Sequence, residues 1–181
     1  MTKSLKELIL VAEFAVFLAI FSQITIPFGL VPFTGQTFAV GVLATLLGKR
    51  LGTLSVLIYL LLGVLGLPVY AGMSSGLASL FGPTGGYLIG FLANTVITGA
   101  ILERKGFTHV WGIIANILGA LATLVFGTIW LKLSMNLAWS DAFLSGMIPF
   151  LIPGIIKAIA ASYLGILIRN RLPERFFGSL T

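Results

Sequence analysis

Residues 82–87 read Gly-Pro-Thr-Gly-Gly-Tyr and interrupt a strongly apolar chain. Proline fixes its own φ and glycine tolerates angles that other residues avoid, so this stretch predicts a turn that opens a helix. Seven and eleven residues after Tyr87 come Asn94 and Thr98, which share one helix face at about 100° per residue. Polar side chains inside a membrane face protein or a cavity rather than lipid. The stretch therefore predicts a polar helix face that lines a ligand pocket.

The composition is that of an integral membrane protein. Of 181 residues, 58% are hydrophobic and 9% are charged, and the mean hydropathy is +1.11. In soluble domains about a quarter of the residues are charged. The chain has no cysteine, which excludes disulfides, thiolate metal sites and cysteine nucleophiles. The net charge of +6 comes from small basic groups between apolar runs, a pattern that indicates membrane topology rather than nucleic-acid binding.

Six apolar segments approach the length of about 20 residues that a helix needs to cross a bilayer. They are Leu5 to Ile26, Gln36 to Gly48, Leu51 to Leu67, Tyr87 to Leu102, Val110 to Leu133, and Phe143 to Ile168. The first is too long for the apolar part of a signal peptide and lacks a cleavage site, so we expect it to be retained. The second is short and could be tilted, partly re-entrant or shielded by neighbours. The sequence predicts an all-α membrane protein with six transmembrane helices in a single domain, residues 1–181.

Basic residues mark every second connection between these segments. They are Lys3 and Lys6, Lys49 and Arg50, Arg104 and Lys105, and Arg169, Arg171 and Arg175. Connections 27–35, 68–86 and 134–142 contain no Lys or Arg. The positive-inside rule therefore predicts that both termini are cytoplasmic and that these three connections face outward.

The first two outward connections are rich in glycine, proline and aromatic residues and carry no charge. This composition favours loops that fold back over an apolar pocket, where hydroxyl groups such as that of Ser79 orient a ligand. The alternative is that the loops only pack on the helix ends.

Lys157 is a cation within the sixth segment. Inserting a cation into a membrane costs about 2.5 to 3.5 kcal/mol, so it needs an anionic partner or a cavity. Pro149 and the pair Pro153-Gly154 are expected to break the segment, which would place Lys157 in the first turn of a restarted helix, near the outer half. A ligand carboxylate could be its counter-ion; an internal pair with Glu13 or Asp141 is the alternative.

Two amides, Gln36 and Asn94, carry both donors and acceptors and suit a ligand with amide-like or urea-like groups. Either could instead make an interhelical hydrogen bond. No catalytic constellation or metal-ligand cluster is visible, and the spacing from Gly41 to Gly48-Lys49 does not fit a phosphate-binding loop. The sequence therefore predicts no cofactor and no enzyme, and a transporter built on this chain must draw its energy from a partner.

Four stretches resemble the BioY family, the biotin-specific substrate-binding components of energy-coupling factor transporters. Residues 35–38 read Gly-Gln-Thr-Phe, 59–63 Tyr-Leu-Leu-Leu-Gly, 66–72 Gly-Leu-Pro-Val-Tyr-Ala-Gly, and 82–91 Gly-Pro-Thr-Gly-Gly-Tyr-Leu-Ile-Gly-Phe. The resemblance covers nearly the whole chain. It implies a six-helix component of the cell membrane that captures biotin on the outer side. The expected partners are a transmembrane coupling subunit and two ATP-hydrolysing subunits.

The resemblance also implies roles for single residues. The small-residue motif that the family uses against the coupling subunit falls on Ala15 and Ala19, and the family's sixth-helix lysine falls on Lys157. Where the family commonly has an aspartate three residues earlier, this chain has Gly154.

A biotin pocket would use the following residues of this chain. Gln36 and Asn94 would read the ureido ring, Phe33 and Tyr87 would form aromatic walls, and Lys157 would bind the carboxylate. The alternatives are a component specific for another vitamin, or a self-sufficient secondary carrier of a small carboxylate.

Overall fold

The computed structural model describes residues 3–172, with side chains from residue 5 onward, so Arg175 lies outside the described residues. Its helices and strands, in chain order, are α1 (Lys3–Ser22), β1 (Thr25–Ile26), β2 (Phe33–Thr34), α2 (Gln36–Val64), α3 (Gly76–Phe81), α4 (Gly85–Lys105), α5 (His109–Met135), α6 (Trp139–Gly146) and α7 (Ile148–Arg171). A 3-10 turn spans Ala71–Met73. Four stretches of this part of the chain have the length and composition to cross a membrane: α2, α4, α5 and the α6–α7 stretch Trp139–Arg171.

Helix α2 contains a sharp reversal at Gly48. This glycine has a φ of 73° and a ψ of −171°, a backbone conformation that residues with a Cβ rarely adopt. The Gln36 Nε2 donates to the Tyr59 hydroxyl at 2.7 Å, although an unbroken helix would separate these residues by about 35 Å. The two halves of α2, residues 36–47 and 49–64, therefore run antiparallel. They correspond to the second and third predicted segments, which meet at the basic turn.

The sixth predicted segment breaks earlier than the sequence suggested. The break lies between α6 and α7, at Met147, where φ is −120° and ψ is −57°. Pro149 occupies the first turn of α7, where a missing amide hydrogen costs little, and Pro153 lies inside the helix without ending it. Lys157 is therefore the tenth residue of α7, and the expectation that it sits in the first turn of a restarted helix is wrong.

The bundle is built around α4. Helix α4 packs between α2 and α5, α7 packs against both α2 and α5, and α1 packs mainly on α2. The largest apolar core joins Leu18 of α1 to Leu43 and Tyr59 of α2 and Phe91 of α4. Large apolar side chains such as Ile152 are exposed around the outside. Together with the apolar helices, this surface indicates a multi-pass membrane protein.

Basic side chains gather at the end of the bundle that holds the Gly48 reversal. Arg50 forms a salt bridge with Glu7 at 3.7 Å. The Arg169 guanidinium donates to the Leu46 carbonyl at 2.7 Å and stacks on the Phe107 ring, 3.4 Å from its centre. These contacts place the charges at the edge of the bundle rather than within it.

Candidate ligand-binding site

A cavity of about 230 Å³ lies between α2, α4, α5 and α7, beneath the connections 27–35 and 68–86. Its walls are largely apolar, and the lining residues also include seven with a hydroxyl group, one with an amide and one with an ammonium group. The lining residues are Val31, Pro32, Thr34, Gln36, Thr37, Tyr70, Ala71, Ser74, Ser79, Thr84, Tyr87, Leu88, Phe91, Ala120, Leu124, Phe150, Pro153, Gly154 and Lys157. As the sequence predicts, both connections contribute to this lining. Of the six predicted binding residues, the cavity includes Gln36, Ser79, Tyr87 and Lys157.

The first cover of the cavity is a short hairpin. Strand β1 pairs antiparallel with β2, with Thr25 opposite Thr34 and Ile26 opposite Phe33. The Phe33 ring lies between Phe28 and Phe150, with ring centres 4.9 and 4.6 Å away. Phe33 is not among the lining residues, whereas Phe150 is. The Phe33 ring packs on Phe150 and thereby connects the hairpin to α7.

The second cover is the segment around Tyr70. Its hydroxyl donates to the Leu60 carbonyl at 2.6 Å, and burial raises the pKa of this hydroxyl, so it stays a donor. Gln23, just beyond α1, donates from Nε2 to the Tyr70 carbonyl at 3.2 Å, and its Oε1 accepts from the Met73 amide at 2.9 Å. The segment is thus fastened to both α1 and α2.

Lys157 is half-buried at the cavity wall, and its ammonium donates to the Thr34 carbonyl at 2.7 Å. Among the described residues, no carboxylate lies within 4 Å of its Nζ. Glu13 and Asp141, the two candidates for an internal pair, are both exposed. None of the aspartates and glutamates in residues 3–172 lines the cavity. The cavity wall therefore offers Lys157 no negative charge, and the alternative salt bridge with Glu13 or Asp141 does not form.

Gln36 and Lys157 share a neighbour, Thr34. The Thr34 hydroxyl donates to Gln36 Oε1 at 2.8 Å, while Gln36 Nε2 donates to the Tyr59 hydroxyl at 2.7 Å. The Gln36 side chain is 5% exposed, so both bonds are formed away from bulk solvent. This leaves one amide hydrogen of Gln36 for a ligand.

Tyr87 and Ser79 present ring and hydroxyl surface to the cavity. The Tyr87 hydroxyl donates to the Gly146 carbonyl at 2.6 Å, across the break between α6 and α7, and its ring packs on Gly127 of α5. The Ser79 hydroxyl donates to the Ser75 carbonyl at 2.9 Å. The hydroxyl hydrogens of Tyr87 and Ser79 are therefore already used in these bonds, and their oxygens remain available as acceptors.

Asn94 lies elsewhere, and the structure corrects the expectation that its helix face lines the pocket. Its Oδ1 accepts from Thr98 at 3.1 Å and its Nδ2 donates to Thr123 at 3.4 Å. The amide packs against Gly119 of α5, where a Cβ would come within 2.4 Å of Oδ1. Only Tyr87, at the start of the face, reaches the cavity, because the rest of that face is covered by α5.

Of the two alanines expected to contact a partner, Ala15 is buried within the bundle and Ala19 is partly exposed. Ala15 is 0% exposed and belongs to the core of its own bundle, so it offers no surface to another subunit. Ala19 is half-buried against the same core. The exposed face of α1 instead carries Ala12, Glu13 and Val16.

Thr34, Tyr70 and Phe150 are lining residues that the sequence reasoning missed. Thr34 directly precedes the Gly-Gln-Thr-Phe stretch, and Tyr70 lies within the stretch at 66–72, so proximity to those motifs was the available signal. Phe150 had none, because an aromatic residue in an apolar helix has the same appearance whether it faces lipid or a cavity.

Comparison with known proteins identifies the family. The BioY family model matches residues 1–174. The chain belongs to the BioY family. A Lactococcus lactis BioY relative, the biotin transporter BioY2, is 43% identical over 162 residues, which cover 90% of this chain and 89% of that protein. The BioY biotin transporter of Thermotoga maritima is 34% identical over 171 residues, 94% of this chain and all of that protein.

The fold agrees with that of a solved S-component for biotin. A crystal structure of the S-component for biotin from an ECF-type ABC transporter superposes with a TM-score of 0.88 at 30% identity. The match covers 98% of this chain and 99% of that one. The predicted resemblance to the BioY family is thus confirmed. Among the described residues, no group of three or more His, Cys, Asp or Glu side chains could hold a metal ion.

Proposed function

We propose that this chain is the biotin-specific substrate-binding component of an energy-coupling factor transporter. The observation that carries the proposal is Lys157, a lysine with no counter-ion among the described residues. It lies on the wall of a covered apolar cavity in a member of the BioY family. Its relatives are named biotin transporters, and the solved structure that it matches is the S-component for biotin. The role is binding and transport, not catalysis.

The cavity suits a compact ligand with an apolar body and one anionic end. Its volume of about 230 Å³ lies just below the range of about 300 to 1,000 Å³ that is typical of pockets for drug-sized molecules. Lys157 supplies the charge for a carboxylate. Leu88, Phe91 and Leu124 supply apolar surface for the ring and alkyl chain. Phe33 contributes from behind Phe150.

The ureido group of biotin needs hydrogen-bond partners at its own end. The hydroxyls of Ser74 and Ser79 have donated their hydrogens to nearby carbonyls and present lone pairs. The predicted contact from Asn94 would require its amide to break its hydrogen bonds with Thr98 and Thr123. We therefore propose that Asn94 stabilises the packing of α4 and α5 and does not contact the ligand.

The proposed topology has six transmembrane helices in one domain, with both termini in the cytoplasm. It counts α1, the two halves of α2, α4, α5 and the α6–α7 stretch as spans of the cell membrane. The connections 27–35 and 68–86 then face outward, and biotin enters from that side. Support comes from the reversal of α2 at its basic turn and from the basic side chains at the same end of the bundle.

Transport requires partners that supply energy. We propose a transmembrane coupling subunit and two ATP-hydrolysing subunits, with α1 as the contact helix. Because Ala15 is buried, Ala19 and the exposed Ala12 are the small residues of α1 that remain available.

Two experiments test this proposal. Biotin binding to the purified chain in detergent, measured by calorimetry beside a panel of other vitamins, should give tight and selective binding of biotin. Proteoliposomes should accumulate biotin only when the energy-coupling module and ATP are present. Binding of another vitamin in place of biotin would reassign the substrate, and uptake without the module would indicate a self-sufficient carrier.

A further inference from the structure

We propose that Thr34 positions Lys157 and Gln36 so that both bind the same end of the ligand, its carboxylate. This inference rests on the proposed function and makes it more specific. It departs from the arrangement expected from the sequence, in which Gln36 reads the ureido ring at the opposite end from Lys157.

The placement follows from two hydrogen bonds made by one residue. The Thr34 carbonyl accepts from Lys157 Nζ at 2.7 Å, and the Thr34 hydroxyl donates to Gln36 Oε1 at 2.8 Å. The ammonium and the amide therefore meet at one residue, and all three residues line the cavity. This arrangement favours binding of the same end of the ligand by both groups.

The Thr34 hydroxyl also determines which way the Gln36 amide points. The hydroxyl oxygen accepts from the Gln36 backbone amide at 3.4 Å, so its own hydrogen is free to donate to Oε1. One of the two lone pairs of Oε1 is thereby used, and Nε2 keeps one hydrogen after it has donated to Tyr59. Gln36 thus offers the cavity a donor.

Lys157 and Gln36 retain three unused donors between them. Lys157 has three ammonium hydrogens, of which one goes to Thr34, and Gln36 adds one more. A carboxylate accepts several hydrogen bonds through its two oxygens and carries the opposite charge. A ureido carbonyl also accepts hydrogen bonds but carries no charge, so the ammonium favours the carboxylate.

The decisive readout is the ratio of the Kd of biotinol to the Kd of biotin, since biotinol replaces the carboxylate with a neutral alcohol. Thr34→Val removes the hydroxyl but keeps the shape and the backbone carbonyl. We expect it to weaken biotin binding about tenfold and to change biotinol binding by less than about twofold. The ratio should therefore fall. Thr34→Ser restores a hydroxyl and should recover most of the ratio.

A double-mutant cycle tests whether Thr34 acts through Gln36. Gln36→Leu alone should lower the ratio in the same way, and Thr34→Val added to it should produce little further change. Each variant is compared with wild type by its melting temperature in detergent, so that a folding defect is recognised separately. Equal weakening of biotin and biotinol, or additive losses in the double variant, would overturn the assignment.

The experiments distinguish failure of the proposed biotin-binding function from failure of the role assigned to Thr34. If the folded wild-type chain does not bind biotin, the proposed function is overturned, and this assignment with it. If wild type binds biotin and the ratio is unaffected in Thr34→Val, only the role of Thr34 is overturned.

Discussion

Two polar groups inside this bundle are alike in the sequence and differ in the structure. The first is Lys157 with Thr34 and Gln36 at the cavity, and the second is Asn94 with Thr98 and Thr123 between α4 and α5. In the second group both ends of the amide have partners within the bundle. In the first, an ammonium group makes one hydrogen bond to a neutral carbonyl beside a cavity.

The difference separates polar residues that hold helices together from those that bind ligand. A buried amide whose donors and acceptors are paired internally contributes to helix association. A buried charge without a counter-ion is costly, and that cost is relieved when an anion arrives. Unused hydrogen-bonding capacity beside a cavity is therefore the better indicator of a ligand site than the presence of a polar residue.

The largest expected effect on affinity comes from Lys157→Met, which keeps a similar length and removes the charge. Biotin affinity should fall about 100-fold, because a charge-assisted hydrogen bond and the ionic attraction are both lost. Calorimetry in detergent measures the change, and an unaltered melting temperature shows that the fold survives. Retention of tight binding would return Lys157 to a purely structural role.

A smaller effect is expected from Gly154→Asp, one turn before Lys157 on the same helix. A Cβ at Gly154 meets no atom within 4 Å, so a side chain fits there. The new carboxylate restores the residue that is common in the family and would pair with Lys157 at the i, i+3 spacing, sharing the ammonium with the ligand. Biotin binding should therefore weaken by no more than about tenfold.

Gly154→Asn is the matched control because it has nearly the same shape without the charge. It should change biotin affinity by less than about threefold. If Asn and Asp weaken binding equally, the effect is steric, and the comparison between charged and neutral walls loses its support.

The smallest effect on affinity is expected from Asn94→Ala. Loss of the amide removes its hydrogen bonds with Thr98 and Thr123, although both hydroxyls keep backbone carbonyls as partners. The free energy of unfolding should fall by about 1 to 3 kcal/mol. Biotin affinity should stay within about threefold of wild type. A large loss of biotin affinity at an unchanged melting temperature would show that Asn94 reads the ligand after all.

Much of the fold follows from local features of the sequence. The apolar segments predict the long helices, and the pair Lys49-Arg50 marks the reversal of α2. Lys157 and Gln36 could be identified because polar groups in apolar segments are few. The break before α7 was misplaced because Pro149 and Pro153 are both tolerated within or at the start of the helix.

The sequence could not predict which helix packs against which face of its neighbours. Periodicity shows that Tyr87, Asn94 and Thr98 share one side of α4, but not that α5 covers two of them. The small size of Ala15 is equally suited to a contact within its own bundle and to one with a partner. The contact between Lys157 and Thr34 joins residues 123 positions apart, and no local pattern signals it.

The most direct test of the account is the preference for biotin over biotinol in wild type and in Lys157→Met. Calorimetry with both ligands gives four dissociation constants under identical conditions. The account predicts that wild type prefers biotin by at least about tenfold and that this preference disappears in the variant. A wild type that binds both ligands equally, or a preference that persists without the lysine, would contradict the claim that Lys157 binds the carboxylate.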